Sequence, residues 1–121
     1  MTRYRVSSAA QDDIVDILDW TYEQFGDAAR LRYEALLVTA LRDIAEQPRR
    51  PGSIIRPELG DGVRSWHLCL SRERARTTGA IVHRPRHFLI YRPENAIIVI
   101  GRVLHDAMEL ARHLEGDGPW E

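Results

Sequence analysis

Five of the arginines and histidines in this 121-residue chain are candidates to handle phosphates and protons together: Arg64, His67, Arg92, Arg102 and His105. Arginine grips phosphate through its planar fork, and histidine titrates nearest neutrality. If the segments 64–67, 87–92 and 102–105 are neighbouring strands, all five lie near one sheet surface. Such a group could bind phosphate, or do general acid–base work on RNA through His67 or His105. A structural role is equally open: Arg92 and Arg102 could pair with Glu94, Asp106 or Glu109 and anchor the turn after the last strand. His105 and Glu109 stand four apart, but one imidazole and one carboxylate fall short of a metal site. Cys69 reads as a small buried apolar group. The chain has no zinc spacing, no phosphate-binding glycine loop and no nucleophile elbow, so neither metal nor cofactor is expected.

These residues need a scaffold, and the stretch 97–104 supplies its centre. Ile97, Ile98, Val99, Ile100, Val103 and Leu104 form the most continuous apolar run, rich in β-branched residues and interrupted by Gly101 and Arg102. That pattern marks a central strand covered on both faces. Tyr4-Arg5-Val6 is a short strand candidate. Ser8 with Gln11 fits a capping box, with Asp12 and Asp13 in the first turn. Ile14, Ile17, Leu18, Thr21 or Tyr22, and Phe25 then form a helical stripe ended by Gly26. Asp27 can cap a second helix with the stripe Ala29, Tyr33, Leu36, Leu37, Ala40, Leu41 and Ile44, stopped by Pro48. The pair must be an αα-hairpin, and Trp20, Tyr22, Phe25 and Tyr33 are expected in its core.

A turn-rich loop follows, and Val63 to Leu70 alternates as a half-buried strand, with Trp66, Leu68 and Leu70 on one face. Ala80-Ile81-Val82 is a brief strand candidate, and residues 87–92 form another strand. A short helix is expected over about residues 107 to 114, and a loose tail over 115–121. Helices grouped ahead of strands predict a single α+β domain over residues 1–121, with a mostly antiparallel sheet and the hairpin on one face.

Charge is segregated. All 17 basic residues are arginine, and the net charge is -1. Residues 48–92 hold 10 arginines against 3 acids, whereas 1–47 hold 5 against 9 and 93–121 hold 2 against 6. The basic middle is either a solvated surface or a seat for an acidic partner, nucleic acid or protein. No run approaches the ~20 apolar residues of a membrane span. The lone cysteine excludes an internal disulfide and no signal peptide is evident, so a cytoplasmic protein is expected.

Several stretches together resemble a known family. Tyr4-Arg5-Val6-Ser7, Ala9-Ala10, Asp12-Asp13, Tyr22 and Phe25-Gly26 look like the opening of the RelE/ParE superfamily of type II toxin–antitoxin toxins. Tyr33-Glu34-Ala35-Leu36 resembles its second helix, and Gly62-Val63-Arg64 its Gly-aromatic-Arg step. Residues 87–92 look like its penultimate strand. Ile100-Gly101-Arg102-Val103-Leu104-His105, then Met108 and Arg112-His113-Leu114, resembles the closing signature of the ParE branch. Two features depart from the pattern. A basic insertion spans about 71–86, and no tyrosine follows Leu104 where the RelE nucleases carry a C-terminal aromatic.

The resemblance implies a ParE-like, plasmid-stabilisation type of toxin that binds DNA gyrase, arrests growth and has no catalytic residues. It implies neutralisation by a cognate antitoxin, ParD-like and of the ribbon-helix-helix class. Target binding would fall to Arg102, His105, Met108 and Arg112. Antitoxin binding would fall to Arg64, Arg72, Arg74, Arg76, Arg84 and Arg86. The alternative is a RelE-like mRNA endonuclease using Arg64, His67, Arg92 and His105. An inactive, purely structural partner is a third possibility. Direct nucleic-acid binding is left open.

Overall fold

The structure, a computed structural model, describes residues 3–76, 81–107, 114 and 118–121. Strand β1 (Arg3–Val6) leads into helix α1 (Ser8–Phe25) and helix α2 (Asp27–Glu46). Strands β2 (Ile54–Ile55), β3 (Arg64–His67), β4 (His87–Glu94) and β5 (Ile97–His105) follow. The sheet order is β1-β5-β4-β3-β2, with β1 parallel to β5 and every other pair antiparallel. This is the expected α+β class. A tight turn joins β4 to β5, and a loop with a 3-10 segment at Pro57–Leu59 joins β2 to β3; connections of this length permit antiparallel ladders. The hairpin is the crossover that lets β1 lie parallel to β5.

Gly26 makes the hairpin possible. Its φ of 92° is a conformation glycine adopts without penalty, and its N–H returns to the Tyr22 carbonyl, closing α1. Ser7, one residue before the expected cap, accepts the Ala10 N–H through Oγ. Helix α2 buries Tyr33, Leu36, Leu37, Ala40, Leu41 and Ile44, the stripe read from the sequence. These pack with Trp66, Leu68, Leu89, Tyr91, Ile98, Ile100 and Val103 in the core between helices and sheet.

Strand β5 is buried on both faces, as its β-branched run requires. Its register slips against β4: Tyr91 pairs with Ile100 and Ile90 with Arg102, which leaves Gly101 as the extra residue of a β-bulge. Strand β1 stops at Val6 opposite Ile100, and the start of α1 takes over the exposed edge of β5. Ser7 N–H donates to the Ile100 carbonyl and Ser7 Oγ to the Gly101 carbonyl. Asp13 accepts the Val103 N–H at 2.9 Å and two bonds from Arg102 at 2.7 and 2.8 Å.

The far face of the sheet carries a second core of Val63, Phe88, Ile90, Val99 and Leu104, covered by Leu114 and Trp120. The expectation of a loose tail over 115–121 fails for residues 118–120, and 115–117 lie outside the described residues. Residues 118–120 form a 3-10 turn with Pro119 and Trp120 buried. Trp120 lies on Gly101, so close that a Cβ there would meet its ring carbons at 2.6 Å. The Arg92 guanidinium covers the ring at 4.4 Å, and Arg5 donates to the Trp120 carbonyl.

Other expectations also change. The strand read as continuing to Leu70 stops at His67. There Nδ1 accepts the Cys69 N–H, and the chain turns through a 3-10 segment, Leu68–Leu70. Leu68 is buried but Leu70 is exposed. Ile81 and Val82 form no strand, and the two-residue β2 had no sequence signal. Trp20, Tyr22 and Phe25, expected in the core, are all more than half exposed, whereas Tyr33 is buried as expected. The predicted last helix lies almost wholly outside the described residues.

Candidate functional site

The five residues nominated for chemistry do not form one cluster. Arg64 pairs in register with Tyr91 and Arg92 with Val99, toward one end of the sheet. His67 faces Phe88, and His105 faces His87, at the other end. The two ends are separated by the length of β3, about 10 Å. Arg64 donates to Ser53 Oγ at 2.7 Å and to the Ser53 carbonyl. Arg92 stacks on Trp120 and reaches Glu94 at 3.7 Å. Arg102 is held by Asp13, a bond that raises its pKa. The expected alternative, anchoring by acids, therefore describes Arg92 and Arg102 better than phosphate binding does, although the partner of Arg102 is Asp13.

The other end gathers three histidines from three adjacent strands. His67 Nε2 lies 3.2 Å from Asp106 Oδ2, and His105 Nδ1 lies 3.6 Å from Asp106 Oδ1. Arg86 donates to Asp106 Oδ1 through Nε and Nη2, at 3.2 and 3.1 Å. Partial desolvation works to raise the Asp106 carboxyl, but the bonds from Arg86 and His67 outweigh it and hold it below the usual carboxylate range. His87 meets His105 edge to face at 5.3 Å. Tyr33 Oη accepts the Arg86 N–H at 3.3 Å and lies 2.7 Å from His87 Nδ1. Both bonds are satisfied when the Tyr33 hydroxyl donates to Nδ1, which leaves the His87 proton on Nε2. Burial, with the nearby His105, pushes His87 down to about 4, and burial pushes Tyr33 up to about 12. His87 is thus neutral near pH 7 and latches α2 to the sheet.

Beside this latch, between α1, α2 and residues 81–87, runs an open groove of about 810 Å³. Ile17, Trp20, Phe25, Ala29, Ile81 and Val82 make its walls mostly apolar, and Tyr33, His87 and His105 also line it. Trp20 and Phe25 meet edge to face at 5.7 Å. Their exposure becomes intelligible: they form a wall of the groove at the end of α1. Trp20 stands three residues after Ile17, at the edge of the helical stripe, so its spacing alone did not mark it as exposed.

The basic insertion is less available than its composition suggests. Arg74 forms three bonds to the buried Asp43 carboxylate, which raise its pKa. Arg72 donates to the His83 carbonyl, and Arg76 pairs with Glu73. Asp43 also accepts from Ser71 Oγ at 2.6 Å, Ser71 accepts from Trp66 Nε1, and Arg50 lies 3.5 Å away. Asp43 escaped notice, yet a carboxylate one residue before Ile44 in the buried stripe is itself a sign of an internal partner. Of the antitoxin-binding candidates, Arg84 and Arg86 line the groove, whereas Arg64, Arg72, Arg74 and Arg76 do not. Met108 and Arg112 lie outside the described residues. Among the described residues no His, Cys, Asp and Glu group could hold a metal ion, and no helix is long and apolar enough to cross a membrane.

A helical hairpin on a mixed five-stranded sheet is a fold already represented among solved toxin–antitoxin structures. The chain is similar in fold to a structure described as the chromosomal ParDE TA system from P. aeruginosa, with a TM-score of 0.65 and 15% identity, over 87% of this chain and 96% of that one. At that identity the likeness concerns the fold alone. No curated protein matches the sequence. The family described as the ParE toxin of the type II toxin-antitoxin system, parDE, matches residues 4–110, and the chain belongs to that family.

Proposed function

We propose that this ParE-family toxin acts by binding: it holds DNA gyrase in the cytoplasm, stalls growth, and is silenced by a cognate ParD-like antitoxin of the ribbon-helix-helix class. Family membership over residues 4–110 is the observation that carries the reading. The dispersal of the candidate catalytic residues supports it. Arg64 and Arg92 sit at one end of the sheet and His67 and His105 at the other, so no phosphate-gripping arginine of that set accompanies the two imidazoles. Capture by an antitoxin needs exposed apolar surface instead, and the groove walled by Trp20 and Phe25 supplies it for that partner. The antitoxin masks this groove, with Arg84 and Arg86 on its margin. His105 belongs to the surface that meets the target; Met108 and Arg112 of the same set lie outside the described residues.

The test is supercoiling by purified gyrase with and without the purified toxin. Inhibition or accumulated cleaved DNA is expected, reversed by the antitoxin. Normal gyrase activity alongside growth arrest in cells would contradict the reading.

One observation favours a second reading, a RelE-like mRNA endonuclease: His67 and His105 both approach Asp106. Primer extension on cellular mRNA separates the two. Discrete cuts that vanish in His105→Ala would establish the nuclease.

A further inference from the structure

We infer that Arg32 and Arg84 form a two-cation clamp on the groove, which selects an apolar segment bearing carboxylates: an acidic amphipathic stretch of the antitoxin. The inference rests on the toxin–antitoxin reading above for its occupant, but its chemistry stands on the groove itself.

Five arginines show the contrast. Arg72, Arg74, Arg76, Arg86 and Arg102 each have a hydrogen-bonding partner within the chain. Arg32 and Arg84 have none among the described residues. Both line the groove, one from α2 and the other from the segment 81–87. An unpartnered guanidinium is ordinary on open surface. Two of them lining one apolar groove, from different elements of the fold, give that groove a cationic character a ligand can use.

The groove's other charges do not cancel the pair. Asp16 also lines the groove. Asp106, close by, is already held by Arg86 and His67. His87 is neutral near pH 7, so it offers a ring N–H rather than a charge. The net field therefore favours an anion, while Ile17, Trp20, Phe25 and Val82 favour apolar groups. Apolar walls give affinity, and the cations give orientation and rate of capture. A segment with large apolar side chains on one face and flanking Asp or Glu satisfies both. A phosphate chain with no apolar surface leaves the walls wet.

The probe is indole-3-butyrate, compared with its primary amide and titrated into the isotope-labelled chain at low salt. Two partly exposed ion pairs should favour the acid by roughly fivefold. The preference should disappear in the Arg32→Gln/Arg84→Gln double variant, while shifts at His87, His105 and Trp20 locate the ligand in the groove. Equal binding of acid and amide, no binding of either, or a preference that survives the double variant overturns the clamp. A second arm addresses the occupant. The double variant should still arrest growth but escape rescue by the antitoxin. Full rescue overturns the antitoxin as occupant. Absence of arrest by the wild-type chain removes the toxin reading, and the titration still decides the clamp.

Discussion

The turn at 72–76 and the segment 84–86 are equally rich in arginine, and they do different things. In the turn, Arg74 neutralises the buried Asp43, Arg72 ties to the His83 carbonyl and Arg76 to Glu73. In the segment 84–86, Arg86 braces Asp106, but Arg84 stands at the groove without a partner among the described residues. Charge density along a sequence is therefore a poor guide to charge available to a partner. What decides availability is whether the fold has placed an acid within reach. Asp43 does this for one region, and among the described residues no acid bonds to Arg32 or Arg84.

The comparison can be broken first at Asp43. Asp43→Ala removes the acceptor of Ser71 and Arg74 and the ion-pair partner of Arg50. A buried charge network that loses one member should cost about 3 kcal/mol, read by denaturant unfolding. If stability hardly moves, Arg74 is as free as Arg84 and the distinction collapses.

Gly101→Val acts on neither arginine region and serves as the control for global damage. A Cβ at Gly101 would lie 2.6 Å from a Trp120 ring carbon, so the ring must leave its seat. Overpacking here should cost about 2 kcal/mol and shift tryptophan emission to the red, leaving binding in the groove intact. An unchanged emission spectrum would mean that Trp120 does not cover the far face.

How much of this was legible beforehand varies with the range of the interaction. Strand β5 was readable because β-branched residues on both faces have no other home. The hairpin was readable because Gly26 interrupts two clean helical stripes. Strand β3 was overread: its alternation continues to Leu70, but a bond from Cys69 N–H to His67 turns the chain earlier. Strand β2 was invisible because two residues pair only once β3 offers an edge. The seat of Trp120 left one overlooked signal, a glycine inside the strongest strand, where close approach by another group is a standing explanation. The proposed cluster of five failed on register. A sequence gives the strands but not which ends face one another, so Arg64 and Arg92 were placed beside histidines that lie at the opposite end.

The histidine latch sharpens the comparison from the groove side. His87 sits near 4 in the folded chain against an ordinary value near 6.5. The unfolded chain then binds more protons between those values, so stability is complete above about pH 6.5 and is lost as pH falls toward about 4. The expected loss is about 2 kcal/mol, and His87→Gln should abolish that part of the slope. A wild-type curve flat across this range would mean that His87 is not held neutral by burial.

The smallest effect on stability is expected at the clamp, and it bears most directly on the central claim. Neither Arg32 nor Arg84 holds the fold, so the double variant Arg32→Gln/Arg84→Gln should unfold within about 0.5 kcal/mol of wild type. Its affinity for the antitoxin, measured by calorimetry on the purified proteins, should fall by roughly tenfold and depend less on salt. Undiminished affinity and salt dependence in a fully stable double variant would contradict the account.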